Sequence, residues 1–538
     1  MAGSVEHIDV LIVGAGPSGL MLAGQLLRYG VQPMIIDRRH GPDKASKAVV
    51  LNARSLEIFR QMGMAEELTA EGVPCDQIVI RGKKPTPIEC SPADFSNTPF
   101  PYFLCIPQNK VEKALLTRLT QNTCPVSWAT EMHSLHQDDH SARVVLNHEG
   151  IHRTVVCRWV VAADGTESSV RTALGIAVDR DKRQNAFFVA DIQVGNALNH
   201  SIQLISTPKD GVLGLFPLAA NGRYRLLCSL PKEWEGPASG QVSYPEVKQH
   251  IDNILGFTLP VSVCSWTAIY IGRRHRASQL ARQRCFLIGD AAHTYGPIAA
   301  IGMNSGLQDA ANLGWKLASV LTGKTSPQLL NSYGQERLTA ASAVEPVDRF
   351  LNNLTATPLV CQPFNWFIDS GLSRVPGRRG RAGRLFDRLS QLGTSYRQSH
   401  IAVHHATSRT VRAGDRLPFY EVYDEKSQTK TDLHRWTEKA GFIFLVLGTV
   451  SHHQLHLIGR WMKQKYPRGM HLYYLPYSPR NQQLFKAFEL PASGTRMMLI
   501  RPDMYIAYIN DVLNVNLIDT YMEEVIGWKH FGNQRENT

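Results

Sequence analysis

The sequence predicts an α/β protein of more than one domain, with an antiparallel sheet inserted into the first domain. Three observations predict this order. An apolar strand pattern, a glycine-rich turn and a helix pattern open the chain at Val10–Gly30. Short alternating runs separated by hairpin signals occupy residues 176–275, and a buried-type strand pattern returns at Cys285–Ile288. At 538 residues the chain is too long for one ordinary domain.

Changes in pattern along the chain define the predicted units. In the last unit, strand patterns at Phe442–Leu447 and Leu472–Leu475 flank a helical pattern, which indicates a separate α/β fold. The units are a split first domain over 1–175 and 276–361, the inserted sheet over 176–275, an Arg/Gly-rich linker over 362–407 and the C-terminal α/β unit over 408–538.

Composition excludes several classes of protein. The net charge is +12, but the arginine-rich stretch 374–388 lacks regular interleaving with aromatic residues, and no known nucleic-acid-binding module is present. We therefore expect no nucleic-acid partner. Nine cysteines, none in a CxxC pair, provide neither a disulfide framework nor a zinc site. We expect no metal, and a reducing compartment fits this cysteine usage best.

The N-terminal residues predict a cytoplasmic protein without an integral membrane segment. The first seven residues lack the basic-then-apolar layout of a signal peptide. Residues 10–27 are uncharged and long enough to suggest a membrane span. Pro17 and the glycines at 14, 16, 19 and 24 instead favour a strand, a turn and a buried helix.

The turn Gly14–Gly19 carries the first chemical signal. It reads GAGPSG, a GxGxxG pattern between a strand and a helix, as in a Rossmann-like dinucleotide-binding domain. The first glycine permits the tight turn, the second permits approach of a pyrophosphate, and the third permits close packing of helix on strand. Asp37 follows the next strand, where a carboxylate accepts hydrogen bonds from a ribose and repels a 2′-phosphate. The expected cofactor is therefore FAD or NAD.

A second region, residues 285–321, favours FAD over NAD. Its strand pattern ends at Gly289-Asp290, and a helix pattern opens near Gly302, Met303 and Asn304. Asp290 suits a ribityl chain, and the free N–H groups of a helix start suit the electron-rich edge of a flavin. A dehydrogenase with one Rossmann turn does not need this second carboxylate and helix start.

These motifs together resemble a known family. Gly14–Gly19, Asp164-Gly165 with Arg171, and Gly289-Asp290 through Asn304 look like the three fingerprints of the single-component, para-hydroxybenzoate hydroxylase-type flavoprotein monooxygenases. Gln108 also matches a flavin-contacting position of that family. Segments 414–418 and 501–503 are similar to the thioredoxin-like C-terminal domain of the phenol and polyketide hydroxylase branch, here without cysteines beyond Cys361.

The resemblance implies a fold and an activity. The fold is a Rossmann-like FAD-binding domain with an inserted antiparallel-sheet substrate domain, followed by a thioredoxin-like domain that packs or forms dimer contacts. The activity is hydroxylation of a phenolic or polycyclic aromatic with O2, through a flavin C4a-hydroperoxide, with NAD(P)H as transient cosubstrate. A monomer or a homodimer is expected. Epoxidation or Baeyer–Villiger oxygenation by the same fold, and a flavin-binding protein without oxygenase activity, stay open as alternatives.

The candidate site residues follow from the motifs and the resemblance. Pro297 marks the loop that is the candidate for catalysis. Phe216, Pro217 and Tyr224 are candidates for the substrate pocket, with core packing as the open alternative for each. His293 is expected to pack beside the cofactor loop rather than to act as an acid or base. The expected cofactor-binding residues are Gly14, Gly16, Ser18, Gly19, Asp37, Lys47, Gln108, Asp164, Gly165, Arg171, Gly289, Asp290, Pro297, Gly302, Met303 and Asn304.

Two departures from the family pattern stand out. Ala299 and Ala300 replace two glycines of the loop that precedes the helix at Gly302. Each alanine adds a methyl group and loses easy access to positive φ. Lys47 stands where the family commonly has an arginine, which keeps the charge but loses the planar fork.

Overall fold

The computed structural model describes most of the chain, and every structural statement below refers to that part. The predicted contact Lys47 and most of the predicted linker lie outside it. The described residues are 5–43, 48–81, 88–89, 97–181, 185–195, 201–207, 210–218, 222–231, 242–272, 274–353 and 388–530.

The first sheet is built around parallel strands whose carboxyl ends lie at one edge. Val13 pairs in parallel register with Ala162 on one side and with Ile36 on the other, and Ala162 pairs with Leu287. Because these strands are buried on both faces, they are continuous apolar runs. In sheet order they are Ala281–Arg282, Cys285–Leu287, Ile151–Ala162, Glu6–Val13, Met34–Ile36 and Val126–Ser127, with Ala142–His148 and Thr130–Gln137 extending from Ile151–Ala162.

Helices cover this sheet and complete its hydrophobic core. Pro17–Arg28 begins directly after the glycine turn with proline in its first turn, where the missing N–H costs nothing. It packs against Gly302–Leu321 and Gln108–Gln121. The other helices of the N-terminal part are Ala53–Gln61, Ala65–Glu71, Ser169–Ala173, Tyr244–Leu255 and Asn331–Asn353.

The inserted antiparallel sheet is confirmed, but it is larger than the sequence predicts. Strand Ile78–Arg81, from the predicted first domain, pairs in parallel with Ile202–Thr207 and extends the sheet. Helix Tyr244–Leu255 covers one face, and the other face contributes to an apolar cluster around Phe216 and Tyr295. The strands in sheet order are Val261–Gly272, Asn185–Val194, Arg223–Ser229, Gly211–Pro217, Ile202–Thr207, Ile78–Arg81 and Ile88–Glu89.

The C-terminal unit contains a mixed sheet of its own. Phe442–Gly448 is an interior strand of this sheet and lies next to the edge strand Met470–Leu475. It is parallel to Met470–Leu475, to which helix His452–Lys465 connects it, and antiparallel to Thr495–Ile500. The thioredoxin-like assignment stays a prediction. The sheet order is Val403–His405, Ile506–Asn510, Thr495–Ile500, Phe442–Gly448 and Met470–Leu475, with short helices at Leu433–Trp436, Gln482–Ala487 and Val515–Thr520 and a hairpin of Glu421–Asp424 with Thr429–Asp432.

Residues 388–407 are built into the structure rather than forming an extended connection. Val403–His405 is an edge strand that pairs with Ile506–Asn510. Gln391 is buried and hydrogen-bonds Asn52 and Ser305 of the first domain. These contacts join the C-terminal unit to the helices of the first domain.

A buried ion network makes the same connection. The guanidinium of Arg501 donates to both carboxylate oxygens of Glu336, at 2.6 and 2.8 Å, and also to Asp503. Lys316 of helix Gly302–Leu321 donates to the same Glu336 at 2.7 Å. Although burial alone raises the pKa of Glu336, Arg501 and Lys316 hold it below its ordinary value. The C-terminal unit therefore stabilises helix Gly302–Leu321 through the ion pairs of Arg501, Glu336 and Lys316.

Short strands form two further sheets near the domain junction. None of the helices in the described ranges combines the length and apolarity needed to cross a membrane. The short strands are Val50–Leu51, Phe103–Cys105 and Val73–Cys75 in one sheet, and Val178–Arg180, His275–Ala277 and His293–Thr294 in the other.

Candidate active site

A cavity of about 530 Å³ lies where the parallel strands end and extends to the antiparallel sheet. Open α/β sheets bind ligands at this edge, because the loops that follow the strands converge there. Fifteen of the sixteen predicted cofactor-binding residues lie in the described ranges, and eleven of these fifteen line the cavity. They are Gly14, Gly16, Ser18, Asp37, Gln108, Asp164, Gly165, Asp290, Pro297, Gly302 and Met303.

The glycine turn divides its tasks among its glycines. Gly14 adopts φ +108, and a Cβ there would overlap the carbonyl of Ala163 on the neighbouring strand. Gly19 lies against Gly14 and does not reach the cavity, so its role is helix packing. Around Gly16 no described atom beyond its chain neighbours lies within 4 Å of a Cβ position. Gly16 therefore leaves space that a ligand can fill.

Asp37 lies on the cavity wall but already has partners within the protein. Its carboxylate accepts hydrogen bonds from the N–H of Ala15 at 2.7 Å and from the guanidinium of Arg39 at 3.0 Å to each oxygen. Burial would raise the pKa of Asp37, but these hydrogen bonds hold it below its ordinary value. The carboxylate is thus charged and fixed in orientation. Arg39, which also lines the cavity, was missed in the sequence, where it is one of two consecutive arginines after Asp37.

The Asp164-Gly165 turn presents a second open position. Gly165 has φ +82, and no described atom beyond its chain neighbours lies within 4 Å of the position that a Cβ would take. Asp164 accepts from Ser169 and from the N–H of Val170 at the start of the following helix. Arg171 is buried behind this turn and donates to the carbonyls of Ala291 and Thr166. It supports the wall without lining it.

The third strand end combines an exposed carboxylate with a helix start. Asp290 is exposed on the cavity wall, and Gly289 lies behind it with φ +58, against Ser18. Gly302 is a further position where a Cβ would have no described atom within 4 Å apart from its neighbours. The first N–H groups of helix Gly302–Leu321 have no partner within the helix, so this end suits negative charge.

The sequence suggests that Asn304 lies on the cavity wall, but the structure places it elsewhere. It is fully buried, and its Oδ1 accepts from the N–H of Asn52 and from the hydroxyl of Ser55. The position is set by the helix period, which turns the third residue of the helix toward the core. Asn304 therefore fixes the helix start instead of contacting a ligand with its side chain.

His293 and Gln108 both make contacts within the protein. His293 is buried with Nε2 2.8 Å from Oδ2 of Asp309, which agrees with a packing role beside the loop. Gln108 donates to Glu112 at 2.9 Å and accepts from the N–H of Ala48 at 3.3 Å. Gln108 still lines the cavity.

The far end of the cavity is formed by the antiparallel sheet. Phe216 lies on the wall as predicted, whereas Tyr224 packs on the opposite face under helix Tyr244–Leu255, and Pro217 is also absent from the wall. Because side chains alternate along a strand, the next residue, Arg225, faces the cavity instead. This face of the wall comprises Val189, Phe216, Arg225, Leu227 and Tyr270.

Two polar residues of this wall were missed in the sequence. Arg225 is buried, donates to both oxygens of Asp191 at 2.7 Å, and lies over the ring of Trp266. Burial raises the pKa of the Tyr270 phenol well above its ordinary value. Tyr270 therefore stays neutral and can serve as a hydrogen-bond donor. In the sequence, the only indication that Arg225 and Tyr270 face the cavity is their position within strands of alternating pattern.

The cavity combines the dinucleotide-type turn at Gly14–Gly19, the strand-end carboxylates Asp164 and Asp290, and an apolar half at the antiparallel sheet. This combination defines the class of the protein, a flavin-dependent oxidoreductase. Residues 7–347 match the family described as FAD binding domain. The chain belongs to this family, and its cofactor is FAD. The open positions at Gly16, Gly165 and Gly302 fit such an extended cofactor.

Similar proteins narrow the class further. The chain is 33% identical over 418 residues to the 6-methylpretetramide 4-monooxygenase of Streptomyces rimosus, covering 76% of this chain and 72% of the relative. It is 29% identical over 436 residues to the pentachlorophenol 4-monooxygenase of Sphingobium chlorophenolicum, covering 78% and 77%. The protein is a FAD-dependent monooxygenase of the aromatic hydroxylase type.

Solved structures share the fold over nearly the whole chain. The OxyS anhydrotetracycline hydroxylase from Streptomyces rimosus superposes with a TM-score of 0.76 at 24% identity, covering 97% of this chain and 99% of that chain. The flavin-dependent monooxygenase PieE, in complex with FAD and substrate, gives a TM-score of 0.76 at 21% identity, covering 97% and 99%.

Proposed function

We propose that this monooxygenase hydroxylates a polycyclic phenol at the end of the cavity lined by the antiparallel sheet. One observation carries the proposal. The polar strand-end half of the cavity continues without interruption into a half lined by Phe216, Leu227, Tyr270 and Pro297. Apolar and aromatic walls with a few fixed polar groups are typical of sites for flat aromatic ligands.

The cofactor placement is part of the same proposal. The pyrophosphate of FAD would lie over Gly14, Gly16 and the N-terminus of helix Pro17–Arg28, where backbone N–H groups favour negative charge. Asp290 would hold the ribityl chain. The N–H groups of Gly302 and Met303 would face the pyrimidine edge of the flavin, as the motifs and the family resemblance suggest.

The chain supplies positioning and electrostatics for chemistry that the cofactor performs. When bound and reduced by NAD(P)H, FAD supplies the electrons that activate O2. The positive end of helix Gly302–Leu321 would favour the anionic form of the reduced ring. Phe216 and Leu227 would exclude water from the aromatic substrate, and the phenol of Tyr270 would donate a hydrogen bond to a substrate oxygen.

The names of relatives support a phenolic or polyketide substrate. The names of two of them specify 6-methylpretetramide and pentachlorophenol as the compounds on which those proteins act. Of these two, the relative named for 6-methylpretetramide has the higher identity, and we propose a polycyclic phenol as the substrate class of this chain. The hydrogen-bond donors Arg225 and Tyr270 on the cavity wall would select substrates by the position of their oxygen atoms.

The experiment uses the purified full-length protein with FAD and a panel of polycyclic and monocyclic phenols. We expect NAD(P)H oxidation to accelerate with a polycyclic phenol and one atom of ¹⁸O from ¹⁸O2 to appear in the product. Equal rates with and without every phenol, with hydrogen peroxide as the sole product, would contradict the proposal. Oxygen insertion into a ring ketone or an alkene would instead support the epoxidation or Baeyer–Villiger alternatives.

We also propose a cellular location, a role for the C-terminal unit and an oligomeric state. A cytoplasmic location is supported by free thiols at the described cysteines, such as Cys105 and Cys157. The thioredoxin-like role in packing is supported by the ion network of Arg501, Glu336 and Lys316. We propose a monomer or a homodimer, which sedimentation of the purified protein would test.

A further inference from the structure

Ala300 combines two features that rarely occur together. It lies on the cavity wall between Pro297 and Gly302, and its backbone has φ +51, in the left-handed region. A non-glycine residue in this region is strained, and such strain persists only where the surroundings enforce it. Observed strain on a cavity wall indicates a functional position.

The strained conformation is enforced by Asn304. Its Nδ2 donates to the carbonyl of Ala300 at 2.8 Å and to the carbonyl of Val50 at 2.9 Å. Its Oδ1 accepts from Asn52 and Ser55, at 3.0 and 2.7 Å. All hydrogen-bonding groups of this buried amide are engaged, so its orientation is fixed. The carbonyl of Ala300 is thereby held at the first turn of helix Gly302–Leu321.

Gln391 extends this network to the C-terminal part of the chain. Its Oε1 accepts from Nδ2 of Asn52 at 2.8 Å, and its Nε2 donates to the hydroxyl of Ser305 at 2.9 Å. Gln391 is buried and does not line the cavity. It therefore fixes the helix start through Asn52 and Ser305.

We propose that Ala300 and Gln391 are positioning residues that aim the N–H groups of Gly302 and Met303 at the flavin. The left-handed backbone of Ala300 turns the chain into the helix, and the network of Asn304, Asn52 and Gln391 keeps that turn in place. The inference rests on the proposed position of FAD. It adds that the flavin-facing amides are set by residues outside the three glycine motifs.

The test titrates apoprotein with FAD, without NAD(P)H or substrate, and records the absorption maxima of the bound flavin. Ala300→Val is expected to weaken FAD binding about tenfold, because a β-branched residue resists positive φ. Ala300→Gly should retain wild-type affinity, since glycine adopts this conformation freely. Ala299→Gly is the matched control, because Ala299 is buried in the same loop without positive φ.

Gln391→Ala provides an independent measurement if Ala300→Val does not fold. We expect it to shift the flavin absorption maxima and to weaken FAD binding about threefold to tenfold, although it removes no cavity group. Wild-type affinity and spectrum in Ala300→Val, or in Gln391→Ala where only that variant folds, would overturn the proposal. Equal spectral shifts in Ala299→Gly would also overturn it. Failure of oxygenation with normal FAD titrations would contradict only the proposed function.

Discussion

The turns at Gly14 and at Ala300 solve the same problem with different residues. Each follows a strand, has positive φ and precedes a helix whose N-terminus faces the cavity, with φ +108 at Gly14 and +51 at Ala300. Backbone of Ala163 occupies the space beside Gly14, so no side chain fits there. Ala300 has open cavity beside it. A left-handed alanine then costs only about 1–2 kcal/mol of strain.

The two turns also differ in what supports them. Gly14 is supported by the backbone of neighbouring strands, including a hydrogen bond from its N–H to the carbonyl of Ile36 at 2.8 Å. The region around Ala300 is supported by side chains, among them Asn304, Asp309 and Arg337. Because backbone surrounds Gly14, no other residue fits at that turn. Because side chains hold the turn at Ala300, we expect substitutions of those supporting side chains to disturb it.

The largest effect is expected at Gly14. Gly14→Ala adds a methyl group into the carbonyl of Ala163 and also strains the backbone, at a combined cost of about 3 kcal/mol or more. We expect protein that does not retain FAD and that unfolds at a clearly lower temperature. Thermal unfolding followed by circular dichroism, together with the flavin content after gel filtration, measures both.

Gly150 provides the matched control for Gly14→Ala. It has φ +87, but no described atom beyond its neighbours comes within 4 Å of its Cβ position. Gly150→Ala therefore tests strain without overlap and should cost about 1 kcal/mol, with normal FAD content. Equal losses in the two variants would show that overlap with Ala163 is unimportant.

A pH-dependent effect is expected at Asp309, a buried carboxylate of helix Gly302–Leu321. Asp309 accepts from Arg337 at 2.6 Å and from the N–H of Gly289 at 2.9 Å. Burial would raise its pKa, but His293 and Arg337 lower it to about 2. Because the folded pKa lies below the unfolded value, Asp309 stabilises the fold at neutral pH, and this contribution is lost between about pH 4 and pH 2.

Asp309→Asn should therefore destabilise the protein by about 2–3 kcal/mol at pH 7 and by less at pH 3. Urea unfolding at the two pH values measures the difference. Asp179→Asn, at an exposed carboxylate, should match the wild type at both. A difference between wild type and Asp309→Asn that grows on acidification would contradict the assigned direction.

The strand-end motifs could be predicted from the sequence because local pattern determines them. Gly14, Asp37 and Asp164-Gly165 each follow an apolar run, and the carboxyl ends of parallel strands share one edge of a sheet. No long-range information was needed to bring them together. The inserted sheet was equally visible, since hairpin turns and alternation are local signals.

The supporting residues could not be predicted, because their partners are distant in the chain. The sequence pattern places Asn304 among the ligand contacts, whereas its side chain accepts hydrogen bonds from Asn52 and Ser55, about 250 residues earlier in the chain. The sequence could not decide which side of strand Arg223–Ser229 faces the cavity, because a shift of one residue exchanges Tyr224 with Arg225. Ile78–Arg81 joined the inserted sheet from more than a hundred residues away, which no periodicity indicates.

A smaller effect, confined to binding, is expected at Gly16. Its backbone has φ −79, which alanine adopts without strain, and its Cβ would point into open space. Gly16→Ala should leave the unfolding temperature unchanged but weaken FAD binding at least about tenfold, because the methyl group takes space meant for the ligand. Titration of the apoprotein with FAD measures this. Unchanged affinity would place the pyrophosphate elsewhere.

The smallest effect is expected at Ala300, and its sign tests the comparison of the two turns. If Ala300 is strained only by its own Cβ, Ala300→Gly removes that strain while adding freedom to the unfolded chain. At positive φ the relief of strain exceeds the cost of the added freedom of the unfolded chain, so the free energy of unfolding of Ala300→Gly should be higher by about 0.5 kcal/mol. Urea unfolding of the FAD-free protein, with Ala299→Gly as the destabilised control, measures the sign. A loss of stability in Ala300→Gly would mean that its methyl group contributes packing, and the second turn would then resemble the first in depending on a particular residue.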